Sequence, residues 1–283
     1  MSKHNIFFFS IVLALFVYPL CNTSPALEVA VSPQEVFPGD AFVIKVTNTE
    51  VSKLPPAFCM GKKYYFSRCG EHCLIAVGAV EIKTNPGVYP VNVRTGGKRK
   101  SIDIIVKPSS FPTMELTMPE EEIFLSPGNL ARVKKEERKL RSVFQKVNHR
   151  LWEGDFLLPL NNEISSQYGT KRIFNKKRIS PHKGMDIRGR EGEEVRASNR
   201  GRVMLAEELF FGGNTIILDH GLGIYSLYMH LLKASVRPGE MVSKGDVVGL
   251  VGSSGRSSGP HLHFGIKIMN TNVNPLSLVA LDL

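Results

Sequence analysis

Between residues 27 and 107 the apolar positions come in short, Val- and Ile-rich alternating runs: "LEVAVSP", "AFVIKVT", "LIAVGAVEI", "VYPVNVRT" and "SIDIIVK". Pro and Gly punctuate them at "FPGD", "NPG" and "TGGK". Side chains alternate across a strand with period two, so this pattern predicts half-buried strands joined by tight turns. Five or more in about eighty residues predict a small, Ig-like β-sandwich over 27–107. Residues 108–126, with Pro108, Pro112 and Pro119, read as loop. The pattern then changes to helical spacing in "SPGNLARVKKEERKLRSVFQKVNHRLW", where Leu130, Val133, Leu140, Val143, Phe144, Val147 and Leu151 fall near one stripe. Asn129 or Ser126 is placed to cap this helix. Lys134, Lys135, Arg138, Lys139 and Arg141 lie mostly off the stripe and read as a solvated face. A linker with a basic amphipathic helix is therefore expected over 108–150. From Phe156 short strands and Gly-rich turns return in "GRVMLAEEL", "NTIILDHG", "GIYSLYMHL" and "GDVVGLVG". The chain is expected to be mainly β, with an antiparallel sheet domain over 151–283.

Composition adds little to the fold, but charge and the N-terminus bear on partners. Apolar residues make up 42% and charged residues 22%, ordinary for a globular protein, while the net charge of +10 favours an acidic partner. A basic start at Lys3, an apolar run from Ile6 broken at Pro19, and small polar residues after it form a secretory signal pattern over 1–26. Export to the periplasm or cell envelope is thus expected, which removes nucleic acid from the candidate partners. Cys21 raises lipidation, although the preceding "YPL" lacks the small residue expected before a lipidated cysteine. Cys59, Cys69 and Cys73 remain. In an oxidising compartment two of them can pair, and the sequence leaves the pairing open.

Five of the eight histidines lie between His182 and His263. "SPHKGMDIRG" carries His182 and Asp186 four apart, and its Pro and Gly argue against a helix. In an extended segment that spacing places both side chains on one face. His261 and His263 in "SGPHLHFGI" obey the same rule. Two His and one carboxylate can hold zinc and leave one position open for water, the arrangement a catalytic zinc requires. Each pair alone is weak, since a lone His-x-His is more often packing. The Gly-rich "GSSGRSSGP" lacks the Lys-Ser/Thr ending of a phosphate-binding loop and reads as a tight turn that delivers the two histidines. His220, before a Gly turn, reads as a local turn residue, and no chemistry is assigned to His72 and His149.

Together with His230 in "YMH", these blocks resemble the lysostaphin-type (LytM) zinc metallopeptidases, which cut peptide bridges in bacterial peptidoglycan. The resemblance runs from about Phe156 to Leu278 through "LPLNNEISSQYGTKR", "SPHKGMDIRG", "GGNTIILDHGLGIYSLYMHL", "VRPGEMVSKGDVVGLVGSSGRSSGPHLHFGI" and "VNPL". It implies one Zn2+ per chain on His182, Asp186 and His263, with His261 and His230 as catalytic histidines whose division of labour stays open. Asn214, Tyr228 and Arg172 are expected to contact substrate, with a surface salt bridge as the alternative for Arg172. The N-terminal arrangement resembles that of periplasmic members, which favours D-Ala to diaminopimelate bonds in peptidoglycan peptide stems over glycine bridges. It also admits an envelope regulatory protein as a partner. Two other functions compete. One is a non-catalytic or latent murein-binding module that activates another hydrolase. The other is a biotinyl- or lipoyl-carrier domain, suggested by "VRPGEMVSKGDVVGLVG" but lacking an evident hairpin lysine for the cofactor.

Overall fold

The computed structural model describes residues 27–48, 54–95, 98–117 and 119–283. The expected signal sequence, with Cys21, lies outside these described residues, and no described helix is long and apolar enough to cross a membrane. The chain is mainly β. In the N-terminal part, Glu28–Ser32, Ala41–Thr47, Cys73–Ala79 and Ser67–Gly70 form one sheet. Glu35–Val36, Lys98–Val106, Gly87–Thr95, Pro56–Cys59 and Lys62–Tyr65 form a second. Phe42, Ile44, Tyr64, Leu74, Ile75 and Ile104 are fully buried in a shared core, each such burial contributing about 1.5–3 kcal/mol. Cys69 pairs with Cys73. Cys59 is a buried thiol whose pKa burial pushes up to about 11, so it is inert as a nucleophile at neutral pH.

The linker differs from its expected loop. Thr113–Leu116 is a strand that pairs in parallel with Lys171–Phe174. That strand pairs antiparallel with Arg178–Pro181. The prolines hid a four-residue edge strand. The helix spans Pro127–Phe144, and Ser126 is its cap, its hydroxyl accepting from the Asn129 N–H at 3.3 Å. It ends before Val147 and Leu151 because the backbone there bonds to the sheet instead. The Asn148 carbonyl accepts from Leu222 N at 2.9 Å, and Leu151 N donates to the His220 carbonyl at 2.8 Å. Val143 and Phe144 bury against Leu205, Leu209, Ile217, Tyr225 and Leu227, whereas Leu130 is exposed. Lys134, Lys135, Arg138 and Arg141 face outward.

The C-terminal part is built on a ten-stranded sheet. Its central order runs Ile164–Ser166, Met185–Arg188, His261–Ile268, Ile224–Ala234, Gly213–Gly221, Gly201–Leu209, Met241–Val242. Neighbours in this order are antiparallel. The N-terminal sheets dock on it through backbone contacts. Asn274 N donates to the Gly39 carbonyl at 2.7 Å, and Ala41 N donates to Ser277 Oγ at 2.9 Å. Gly39 is required twice over, since its φ is +96° and an added Cβ would lie 2.4 Å from the Tyr168 ring.

Tyr228 is a core residue rather than a substrate contact. It is fully buried, and its hydroxyl accepts from Ser198 N at 2.8 Å and lies 2.9 Å from Ser226 Oγ. His220 is buried in the same network rather than placed at a surface turn. Its Nδ1–H donates to the Arg200 carbonyl at 2.8 Å, and its Nε2 accepts from Ser226 Oγ at 2.8 Å. Burial pushes the His220 pKa down to about 4. The unfolded chain, with His near 6.5, binds that proton more tightly. Stability from this site is therefore complete above about pH 6.5 and is lost as pH falls toward about 4. The expected loss between pH 7.5 and 4.5 is about 2–3 kcal/mol. Denaturant unfolding of wild type and His220→Gln at both pH values checks this. The pH-linked loss should be smaller in the variant by that amount, and equal losses refute it.

Candidate metal centre

The register of two strands builds the centre. Asp186 sits directly opposite His263 in the pairing of Met185–Arg188 with His261–Ile268. Residues opposite one another share a face, so the carboxylate and imidazole meet. His182 and Asp186 do come together, but not on one extended segment. His182 follows the strand Arg178–Pro181, and a turn at 183–184 separates it from Met185. The turn needs Gly184, where a Cβ would lie 2.4 Å from the Phe264 carbonyl oxygen and 2.7 Å from His263 Nε2. Gly184→Ala is thus expected to displace His263 and to cost about 1–3 kcal/mol. Thermal unfolding of the metal-free protein checks this, and an unchanged Tm refutes it.

Three donor atoms converge. His182 Nε2 is 2.9 Å from His263 Nδ1 and 3.1 Å from Asp186 Oδ1, and His263 Nδ1 is 2.9 Å from the same oxygen. Among the described residues these three form the group able to hold a metal ion. Ligand atoms about 2.0–2.1 Å from a tetrahedral zinc lie about 3.3 Å apart, close to this triangle. The proton positions agree. His182 Nδ1 faces the Gln167 carbonyl at 3.0 Å and so carries the hydrogen, which leaves Nε2 with a lone pair toward the centre. Burial keeps His182 neutral by lowering its pKa. Burial raises the pKa of Asp186, but its contacts with the His182 and His263 imidazoles outweigh it and hold the carboxyl well below its usual range. The donor set is two imidazoles and one carboxylate.

His261 and His230 share the device that fixes His182. His261 Nδ1–H donates to the Gly259 carbonyl at 2.8 Å, so Nε2, which lies 3.8 Å from Asp186 Oδ1, is an acceptor. His230 Nδ1–H donates to the Ser254 carbonyl at 2.9 Å, and burial pushes its pKa down to about 4. The two rings are 4.9 Å apart, centre to centre. His230 reaches the centre through an irregularity. Met229 is paired with His263 and shares its face, so plain alternation would turn His230 away. His230 instead adopts φ +63° beside register shifts in the flanking pairings, and both residues line the groove. A non-glycine residue held at positive φ is uncommon, and such residues cluster at functional sites.

The groove encloses about 710 Å³. Besides the histidines it is walled by Met114 and Leu116 of the linker strand and by Phe174, Phe211 and Arg256. Arg256 stacks on Phe211 with its guanidinium carbon 4.4 Å from the ring centre. These walls escaped the sequence reading because the linker strand is short and Pro-flanked, and because "GRSSG" drew attention for its glycines. Asn214 does not line the groove. Its Nδ2 donates to the Leu231 and Leu232 carbonyls at 3.0 and 2.9 Å, and its N–H donates to Ser254 Oγ at 2.9 Å. It braces the loop whose Ser254 carbonyl holds His230. Arg172 does line the groove, yet its Nη2 bonds Asp186 Oδ2 and also donates to Ser166 Oγ at 3.2 Å. Ser166 and Gln167, which touch His182, carry no local sequence pattern that marks them.

An antiparallel sheet thus presents two imidazoles, a carboxylate and two more histidines in one open groove, a donor set that fits a metallopeptidase site. Residues 180–275 match the model of peptidase family M23, and the chain carries a domain of that family. It is 35% identical over 114 residues to the peptidoglycan DD-endopeptidase ShyA of Vibrio cholerae, covering 40% of this chain and 26% of that protein. It is 43% identical over 93 residues to the murein hydrolase activator EnvC of Escherichia coli, covering 33% of this chain and 22% of that protein. The matched segment thus spans about a quarter of these curated relatives. A crystal structure from Pseudomonas aeruginosa assigned to peptidase M23 superposes with a TM-score of 0.68 at 27% identity, covering 86% of this chain and 94% of that one.

Proposed function

We propose that this chain is an exported zinc endopeptidase that hydrolyses peptide cross-links of bacterial peptidoglycan, at D-Ala to diaminopimelate bonds. The observation that carries the reading is the triangle of His182, Asp186 and His263 with two acceptor imidazoles beside it. These three residues would hold one Zn2+, which when bound would acidify a water and polarise the scissile carbonyl. His261 Nε2 accepts a proton from the attacking water and passes it to the leaving amine. His230, also an acceptor, orients the second hydrogen of that water. The net charge of +10 suits an acidic polymer. Similarity to ShyA supports the bond type.

Similarity to EnvC supports a second reading, a murein-binding module that activates another hydrolase. The complete ligand set and both histidines favour catalysis, because an activator has no need of them. The two readings part in one experiment. Residues 27–283 are incubated with purified murein, with and without a chelator, and the muropeptides are separated and weighed. Chelator-sensitive loss of cross-linked dimers, with monomers ending in D-Ala, is the expected result. Intact dimers, together with stimulation of a separately added murein hydrolase, support the activator instead.

A further inference from the structure

We infer that Arg172 is a positioning residue that fixes how Asp186 meets the metal. The inference rests on the zinc reading above. One guanidinium nitrogen, Nη2, bonds Asp186 Oδ2, the oxygen turned away from the triangle. Oδ1 is the oxygen that faces His182 Nε2 and His263 Nδ1. A carboxylate free to rotate can offer a metal either oxygen or both. With Oδ2 held by Arg172, Asp186 presents Oδ1 alone, which keeps the coordination number low and a position open for water. The same Nη2 donates to Ser166 Oγ at 3.2 Å, and that hydroxyl lies 3.1 Å from His182 Nδ1. One cation thus ties two of the three ligands into a single frame.

The backbone holds this arm rigidly. Arg172 lies on the middle strand of the small sheet, opposite Met114 on one side and Ser180 on the other. Its side chain is about three-quarters buried, and Nε is buried with no hydrogen-bond partner. A guanidinium spent on substrate would leave its terminal nitrogens open to the groove. Here Nη2 is already committed to a ligand. Lysine would supply a point charge without the planar fork.

The test measures zinc affinity by chelator competition on residues 27–283, for wild type, Arg172→Met, Arg172→Lys and Ser166→Ala. Outer partners of metal ligands typically change affinity by about 10–100-fold. Arg172→Met is expected to weaken zinc binding within that range, Arg172→Lys by less, and Ser166→Ala least. The Tm of the metal-free proteins should stay close to wild type, which separates positioning from folding. If Arg172→Met fails to fold, Arg172→Lys carries the test and must still weaken zinc. At saturating zinc, kcat should recover more than KM shifts. Wild-type zinc affinity in a folded Arg172 variant, with a raised KM alone, overturns the inference and returns Arg172 to substrate binding. A wild-type chain that binds no zinc overturns both this inference and the reading on which it rests.

Discussion

Replacing His261 with alanine is expected to leave zinc bound and to lower kcat/KM by about two to four orders of magnitude. His261 is not one of the converging donors, and its Nε2 stands 3.8 Å from the nearest ligand oxygen. The metal triangle therefore survives its loss. What disappears is the proton acceptor, and a positioned general base contributes about 10²–10⁴-fold. The Gly259 carbonyl holds the hydrogen on Nδ1, so in the neutral ring Nε2 is the accepting nitrogen. His261→Gln, which keeps polarity but offers no basic nitrogen, should be as slow as alanine. The check is zinc stoichiometry and initial rate on a purified cross-linked dimer. Loss of zinc together with activity would move His261 into the ligand set. Unchanged activity would remove it from the chemistry.

Replacing Asp186 with alanine is expected to abolish both zinc binding and hydrolysis. Among the described residues that form the centre, Asp186 alone brings a negative charge, and its Oδ1 touches both imidazole ligands. Its loss leaves only the two imidazoles, and it leaves the Arg172 guanidinium facing the site with its carboxylate partner gone. An unpaired, partly buried cation repels a dication. Affinity should fall by more than about a hundredfold, beyond the effect of removing a residue that only orients a ligand. Asp186→Asn keeps the shape and tests the charge, and it should fall nearly as far. Metal content after dialysis, with the rate at added zinc, reads both. A folded Asp186→Ala chain that keeps one zinc would show that the metal lies elsewhere.

Much of this architecture was readable in the sequence because periodicity reports burial directly. The alternating runs of the C-terminal half correspond to strands Gly201–Leu209, Gly213–Gly221, Ile224–Ala234 and Val247–Val251. The approach of His261 and His263 to one groove follows from period two alone. Other features depend on contacts between distant segments, which no local pattern records. The spacing of His182 and Asp186 pointed to one extended segment, whereas a Gly184 turn brings them together. His230 obeys no alternation, because its positive φ reverses the side chain's direction. Tyr228 alternates correctly but faces inward, and periodicity cannot say which face of a central strand is covered. For Arg172 the sequence leaves a substrate contact and a salt bridge open, because a cation near a motif suggests an anion but does not say which one. The structure pairs it with Asp186, fourteen residues along the chain. The linker strand went unread because Pro112 lies directly before a four-residue edge segment, and its role as a groove wall arises only from its pairing with Lys171–Phe174.

The account stands most directly on the coordination of one metal ion. X-ray absorption at the zinc edge, on residues 27–283 purified without added chelator, reads ligand type and distance. The predicted spectrum shows one zinc per chain with nitrogen and oxygen neighbours only, about 2.0–2.1 Å away, two of them imidazole. A neighbour at about 2.3 Å, the distance of a zinc–thiolate bond, would contradict it by placing the metal on a cysteine. A chain with no zinc, and none taken up from a buffered supply, would contradict it outright.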